Sequence, residues 1–151
     1  MKLSLSAIIL VFGLLLAGQA NADNSLKTRF SDSELVKVMR GDGYSSVTII
    51  RDGAIRVKID GKSYYILNKS DGDLQTYYAF SGLDITTSDI NEWNKTKRLS
   101  RAYLDNDNDP VIESDLLANA GLTDEHVTVF FTVFKSSVDH FRDFLYERDK
   151  N

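Results

Sequence analysis

The sequence contains no cysteine, which excludes disulfides, thiolate metal sites, thiol catalysis and a lipidated N-terminal cysteine together. It contains one proline and two histidines. Pro110 opens a predicted strand, a position that tolerates a missing N–H. His126 and His140 fall on one predicted helix. Fourteen residues at about 1.5 Å each set them roughly 21 Å apart, too far to share a metal ion or act as one acid–base pair. No serine stands in a G-x-S-x-G elbow, and neither phosphate-binding glycine pattern is present. One long apolar run exists, Ala7–Ala17, and it is shorter than the roughly 20 residues that span a bilayer.

That run follows the basic Lys2 and precedes Ala20-Asn21-Ala22, a small-x-small cleavage pattern. Residues 1–22 therefore read as a signal peptide, with the mature chain beginning at Asp23 in the periplasm or outside the cell. No later run could span a membrane. Lys2 is the only charged residue among the first 22, so the mature chain carries 17 basic and 22 acidic residues, a net charge of −5. An acidic balance argues against nucleic acid and anionic membranes as partners. With 151 residues, 42% hydrophobic and 26% charged, the chain is long enough for one domain with a real core.

Residues 23–30 read as a short N-terminal lead and residues 31–147 as the domain. Ser31-Asp32-Ser33-Glu34 is a capping box flanked by Phe30 and Leu35 as a hydrophobic staple. It predicts a helix to about Arg40, ended by Gly41 and Gly43. Four strands follow: Val47–Ile50, Ala54–Ile59, Lys62–Lys69 and Leu74–Ser81. Asp60-Gly61 predicts a two-residue hairpin that sets Val57 opposite Tyr64 and Ile55 opposite Ile66. Ile55, Val57, Ile59, Tyr64 and Ile66 then share the core face. A second helix over Ser88–Lys95 takes Ser88 as its N-cap. A hairpin of Leu99–Leu104 and Pro110–Leu117 comes next, with Ala102 opposite Ile112 and Arg101 opposite Glu113. The last helix runs from the cap Thr123 to about Tyr146, with an apolar stripe rich in phenylalanine facing the core. The order α-ββββ-α-ββ-α predicts an α+β fold, an antiparallel sheet with its helices on one face.

Two clusters could carry chemistry. Asp105-Asn106-Asp107-Asn108-Asp109 begins like a calcium loop. The sixth and twelfth positions, which need glycine and glutamate, hold Pro110 and Leu116, so a hairpin turn is the stronger reading. Glu113 and Asp115 share one strand face, as paired hydrolytic carboxylates would. Arg101 opposite Glu113 favours a structural ion pair instead. These patterns imply no catalytic residue, no metal site and no cofactor.

Ile90-Asn91-Glu92-Trp93-Asn94, Arg98-Leu99-Ser100-Arg101-Ala102-Tyr103-Leu104-Asp105, Asp109-Pro110-Val111-Ile112-Glu113 and Gly121-Leu122-Thr123 resemble the YbjN family. That family is labelled as bacterial sensory transduction regulators. Ser114 departs from it, standing where an apolar residue is usual and predicting a thinner core under the last helix. The resemblance implies a fold similar to type III secretion chaperones, which bind extended segments of other proteins and often dimerise. It gives Asn91, Trp93, Asn94, Arg101, Tyr103, Asp105, Asp109 and Pro110 structural roles, with Trp93 anchoring the middle helix.

The function expected is a non-enzymatic, chaperone-like or regulatory binding module, its partner another protein or a second copy. The alternation assigns Arg56, Lys58, Tyr65, Leu67, Arg101, Tyr103 and Val111 to the sheet face opposite the helices, a mixed surface suited to peptide contact. The alternative is a small-ligand-sensing or hydrolytic domain with a pocket under the last helix.

Overall fold

A computed structural model describes residues 25–150, and the expected signal peptide lies outside them. Ser31 caps α1 (Asp32–Gly41) through the capping box read from sequence, its hydroxyl accepting the Glu34 N–H and the Glu34 carboxylate reaching back. Strands β1 (Ser46–Arg51), β2 (Ala54–Ile59), β3 (Lys62–Asn68) and β4 (Leu74–Ala79) follow as a meander. Then come α2 (Thr87–Thr96), β5 (Arg101–Leu104), β6 (Pro110–Leu116) and α3 (Asp124–Tyr146). The element order is the one the sequence predicts.

The six strands form one antiparallel sheet in the order β1-β2-β3-β4-β6-β5. Asp60 and Gly61 both have positive φ, 48° and 80°, as a tight hairpin turn requires. They fix Val57 opposite Tyr64 and Ile55 opposite Ile66. The second hairpin sets Leu104 opposite Pro110, Ala102 opposite Ile112 and Arg101 opposite Glu113. The pairing of β4 with β6 joins the two hairpins, with Tyr77 opposite Glu113.

The core lies between one sheet face and the helices. Ile55, Val57, Tyr64, Ile66 and Ile112 point into it, with Ile59 half-buried beside them. From α3 come Val127, Phe131, Phe134, Val138, Phe141, Phe144 and Leu145. Full burial of each such side chain stabilises by about 1.5–3 kcal/mol, so this stripe binds the layers. Phe131 meets Tyr44 and Tyr64 edge-on, and Phe141 packs on Trp93 with ring centroids 4.7 Å apart. The N-terminal lead is tied down as well: Lys27 and Leu122 exchange backbone hydrogen bonds of 2.8 Å just ahead of α3.

Several boundaries differ from those expected. Thr86, not Ser88, caps α2: its hydroxyl accepts the Asp89 N–H, and Asp89 returns to the Thr86 N–H. Ser88 sits inside the first turn. The strand expected from Leu99 starts at Arg101, because Leu99 adopts a left-handed φ of 64° that breaks an extended run. Strand β4 stops at Ala79 rather than Ser81, as the chain leaves the sheet toward α2.

Candidate functional site

The sheet face away from the helices carries one continuous row. Register places Thr48 beside Arg56, Arg56 beside Tyr65, Tyr65 beside Tyr77, Tyr77 beside Glu113 and Glu113 beside Arg101. One residue from each strand contributes. At about 4.8 Å per strand the row crosses roughly 24 Å. Residues two apart on a strand share a face, so Lys58, Leu67, Tyr103 and Val111 join it. All seven residues that the alternation assigned to this face are therefore on it. Gln75, Tyr77, Glu113 and Asp115 share it.

The middle of the face is aromatic and the ends are charged. Tyr65 and Tyr77 lie with centroids 6.1 Å apart, and Tyr103 is exposed. Glu113 is only 5% exposed, and its carboxylate accepts from the Arg101 guanidinium. That contact raises the Arg101 pKa above its ordinary value. Gln75 donates to Asp115 at 3.0 Å. Burial raises the pKa of Tyr77 and of Tyr103, with Asp105 adding to it at Tyr77 and Glu113 at Tyr103. Both phenols are therefore neutral donors at ordinary pH. Glu113 and Asp115 are each held by a neighbour, which is a structural arrangement rather than a free acid and base.

The remaining motif residues hold this face in shape. Asn94 lies against the outer edge of β5, where its side chain donates to the Ala102 carbonyl at 2.9 Å and accepts the Ala102 N–H at 2.8 Å. Trp93, buried, packs on Phe141 and Phe144 of α3, so it anchors α2 to a helix as much as to the sheet. Asn91 is exposed. Asp105 accepts from the Asp107 and Asp109 N–H groups at 3.0 and 2.9 Å, closing the β5–β6 turn ahead of Pro110. Among the described residues no group of three or more histidine, aspartate or glutamate side chains is placed to hold a metal ion.

A groove runs between the first turns of α3 and the β5–β6 hairpin. Its volume is about 550 Å³, and Leu99, Leu116, Val129, Phe130, Val133 and Phe134 line it. Leu99 is 68% exposed on its lip, and the Ser114 hydroxyl donates to the Leu99 carbonyl. Ser114 itself lies among the residues that line the groove. The left-handed Leu99 on its lip carries no sequence signal, since non-glycine residues in that conformation do not announce themselves in a sequence.

The described residues form one small α+β domain of three helices and a six-stranded antiparallel sheet. A family model described as "Putative bacterial sensory transduction regulator" matches residues 31–147, and the chain belongs to that family, YbjN. The description names a regulator, not an enzyme. No curated protein and no solved structure matches the chain. No helix among the described residues is long and apolar enough to cross a membrane.

Proposed function

We propose that this chain is an exported, non-enzymatic member of the YbjN family whose helix-free sheet face binds another protein in a chaperone-like or regulatory role. The transverse row from Arg56 to Arg101 carries this reading. It offers two neighbouring tyrosines with tilted rings, neutral phenol donors and a charged group at each end on a rigid sheet. Rigid aromatic anchors within a polar frame are what protein contacts favour.

The test places a photoreactive residue at Tyr65, Tyr103 or Val129 in cells that make the protein. Capture of one protein from Tyr65 and Tyr103, but not from Val129 on the other side, supports the face. Capture from none of the three, with the fold intact, removes it. Export is tested separately by the mass and compartment of the accumulated chain. A chain starting at Asp23 outside the cytoplasm is expected, and an intact Met1 inside it would end that part of the reading.

The groove favours a second reading, a small apolar ligand held between Leu99 and α3. Its volume lies within the roughly 300–1,000 Å³ of ordinary ligand sites. Native mass spectrometry of the gently purified protein would show an adduct lost on Val133→Arg substitution. A single peak at the bare chain mass speaks against it.

A further inference from the structure

The charges of the open face are one-sided. Arg56 and Lys58 lie on it from β2, and Arg51, opposite Ala54, lies on it from β1. Arg51 and Lys58 are exposed, and Arg56 is half-buried. None of the three forms an ion pair among the described residues. Asp52 and Asp60, in the turns at either end of β2, pair with none of them. Strands β1, β2, β3 and β4 contain no carboxylate at all. The first on this face are Glu113, covered by Arg101, and Asp115, which accepts from Gln75. Strand β6 lies three strand spacings from β2, roughly 14 Å. That exceeds the Debye length of about 8 Å at physiological salt, so the fold leaves the three cations unanswered.

Charges that guard a free sheet margin belong on its edge strand. Arg51 on β1 fits that role. Arg56 and Lys58 stand one strand in, on an interior strand and on one face of it. They also stand on a chain whose net charge is −4, against its average sign.

Resting on the reading that this face contacts protein, we propose that the segment it receives is acidic, with carboxylates over β2 and an apolar or aromatic side chain over β3. Arg56 and Lys58 are two residues apart on one strand, about 6.6 Å. Carboxylates two apart in an extended segment repeat at that distance, and carboxylates four apart on a helix rise by about 6 Å. The Arg56 guanidinium offers a planar fork that a carboxylate fits with two hydrogen bonds. Tyr65 stands beside Arg56, and Leu67 beside Ala54, so apolar surface adjoins the cations on β3. A polyanion as broad as the sheet would also cover Asp115 and meet the field of an acidic chain. A short acidic segment meets the cations alone, which favours protein over a membrane or nucleic acid.

The experiment is fluorescence anisotropy of a short labelled peptide alternating glutamate with tyrosine, titrated with the protein purified from the cells that make it. The peptide should bind, and more weakly as salt rises. Glutamine in place of glutamate should weaken binding at least about tenfold. The pair Arg56→Glu with Lys58→Glu should do the same with an unchanged circular dichroism spectrum. The pair Lys95→Glu with Lys135→Glu, an equal change of charge on the helices, should leave binding as it was. A peptide alternating lysine with tyrosine should bind the Arg56→Glu, Lys58→Glu protein better than the wild type. No binding of the glutamate peptide at low salt overturns the proposal, as does binding indifferent to reversal of Arg56 and Lys58. Phosphatidylglycerol vesicles that bind more tightly than the peptide, and lose binding on the same reversals, overturn it in favour of a membrane. Capture of a protein from Tyr65 that survives the reversals leaves the broader reading of the face standing without an acidic partner. Absence of both peptide binding and any Tyr65 product brings down both.

Discussion

Asn94 and the backbone of Ala102 form a two-hydrogen-bond pair, the side-chain amide standing where the next strand's peptide group would stand. One side chain thereby closes an exposed sheet edge, a position that otherwise invites pairing with other chains. The pair joins the two most recognisable stretches of the sequence, one on α2 and one on β5.

Asn94→Leu should therefore cost about 1–3 kcal/mol in chemical denaturation, the range for losing bonds that leave backbone groups unanswered. Asn94→Asp keeps the acceptor for the Ala102 N–H but loses the donor to its carbonyl. It should fall between wild type and leucine. Equal stability of all three would show that the amide contributes nothing.

Trp93→Ala should lower stability by about 3–5 kcal/mol, as for other large buried aromatics, with a marked fall in melting temperature. The indole N–H is buried with no hydrogen-bond partner. Trp93→Phe removes that orphaned donor while keeping a ring against Phe141, and should cost clearly less. An alanine variant melting like wild type would take Trp93 out of the core.

The two hairpins were legible because their turns and alternation are local. Asp60-Gly61 fixes its neighbouring register by itself, and Arg101 opposite Glu113 follows once Leu104 is set opposite Pro110 across the Asp105–Asp109 turn. The β4–β6 pairing was not legible. It bridges α2, and no turn sets its register, so Tyr77 could not be seen beside Glu113. The cap of α2 was misplaced because Thr86, Thr87 and Ser88 all offer hydroxyls, and the partner at the third position is Asp89 rather than the longer glutamate. The groove depends on one backbone torsion at Leu99 and on a cavity between distant elements.

Burial pushes the Tyr64 phenol from an ordinary pKa of 10.0 up to about 12. The folded state holds this proton more tightly than the unfolded chain does. Its contribution is complete below pH 10, and it is lost as pH rises toward about 12. Stability should fall through that window, and Tyr64→Phe should flatten the fall. An identical alkaline limb in the phenylalanine variant would assign the loss to the other buried phenols.

Gly72 and Gly61 both have positive φ, but their surroundings differ. A Cβ on Gly72 would lie 2.3 Å from the Thr28 carbonyl oxygen, whereas Gly61 faces open space. Gly61→Ala should cost about 1 kcal/mol for backbone strain alone. Gly72→Ala should cost several times more and release the lead that runs past Thr28. Comparable losses in parallel urea titrations would mean that this lead moves aside without penalty.

The two margins of the sheet are finished differently. The β5 margin is met by Asn94 at Ala102, while at β1, among the described residues, a side chain meets the Val47 carbonyl, that of Arg40, and Ile49 and Ile50 are exposed. Such a sheet has a single growing end. Two molecules joined there would use up both of their free margins, so strand-to-strand addition has nowhere further to go. Fibrous extension is blocked by an amide at the opposite side of the molecule, and a variant lacking that amide would have two live ends instead of one.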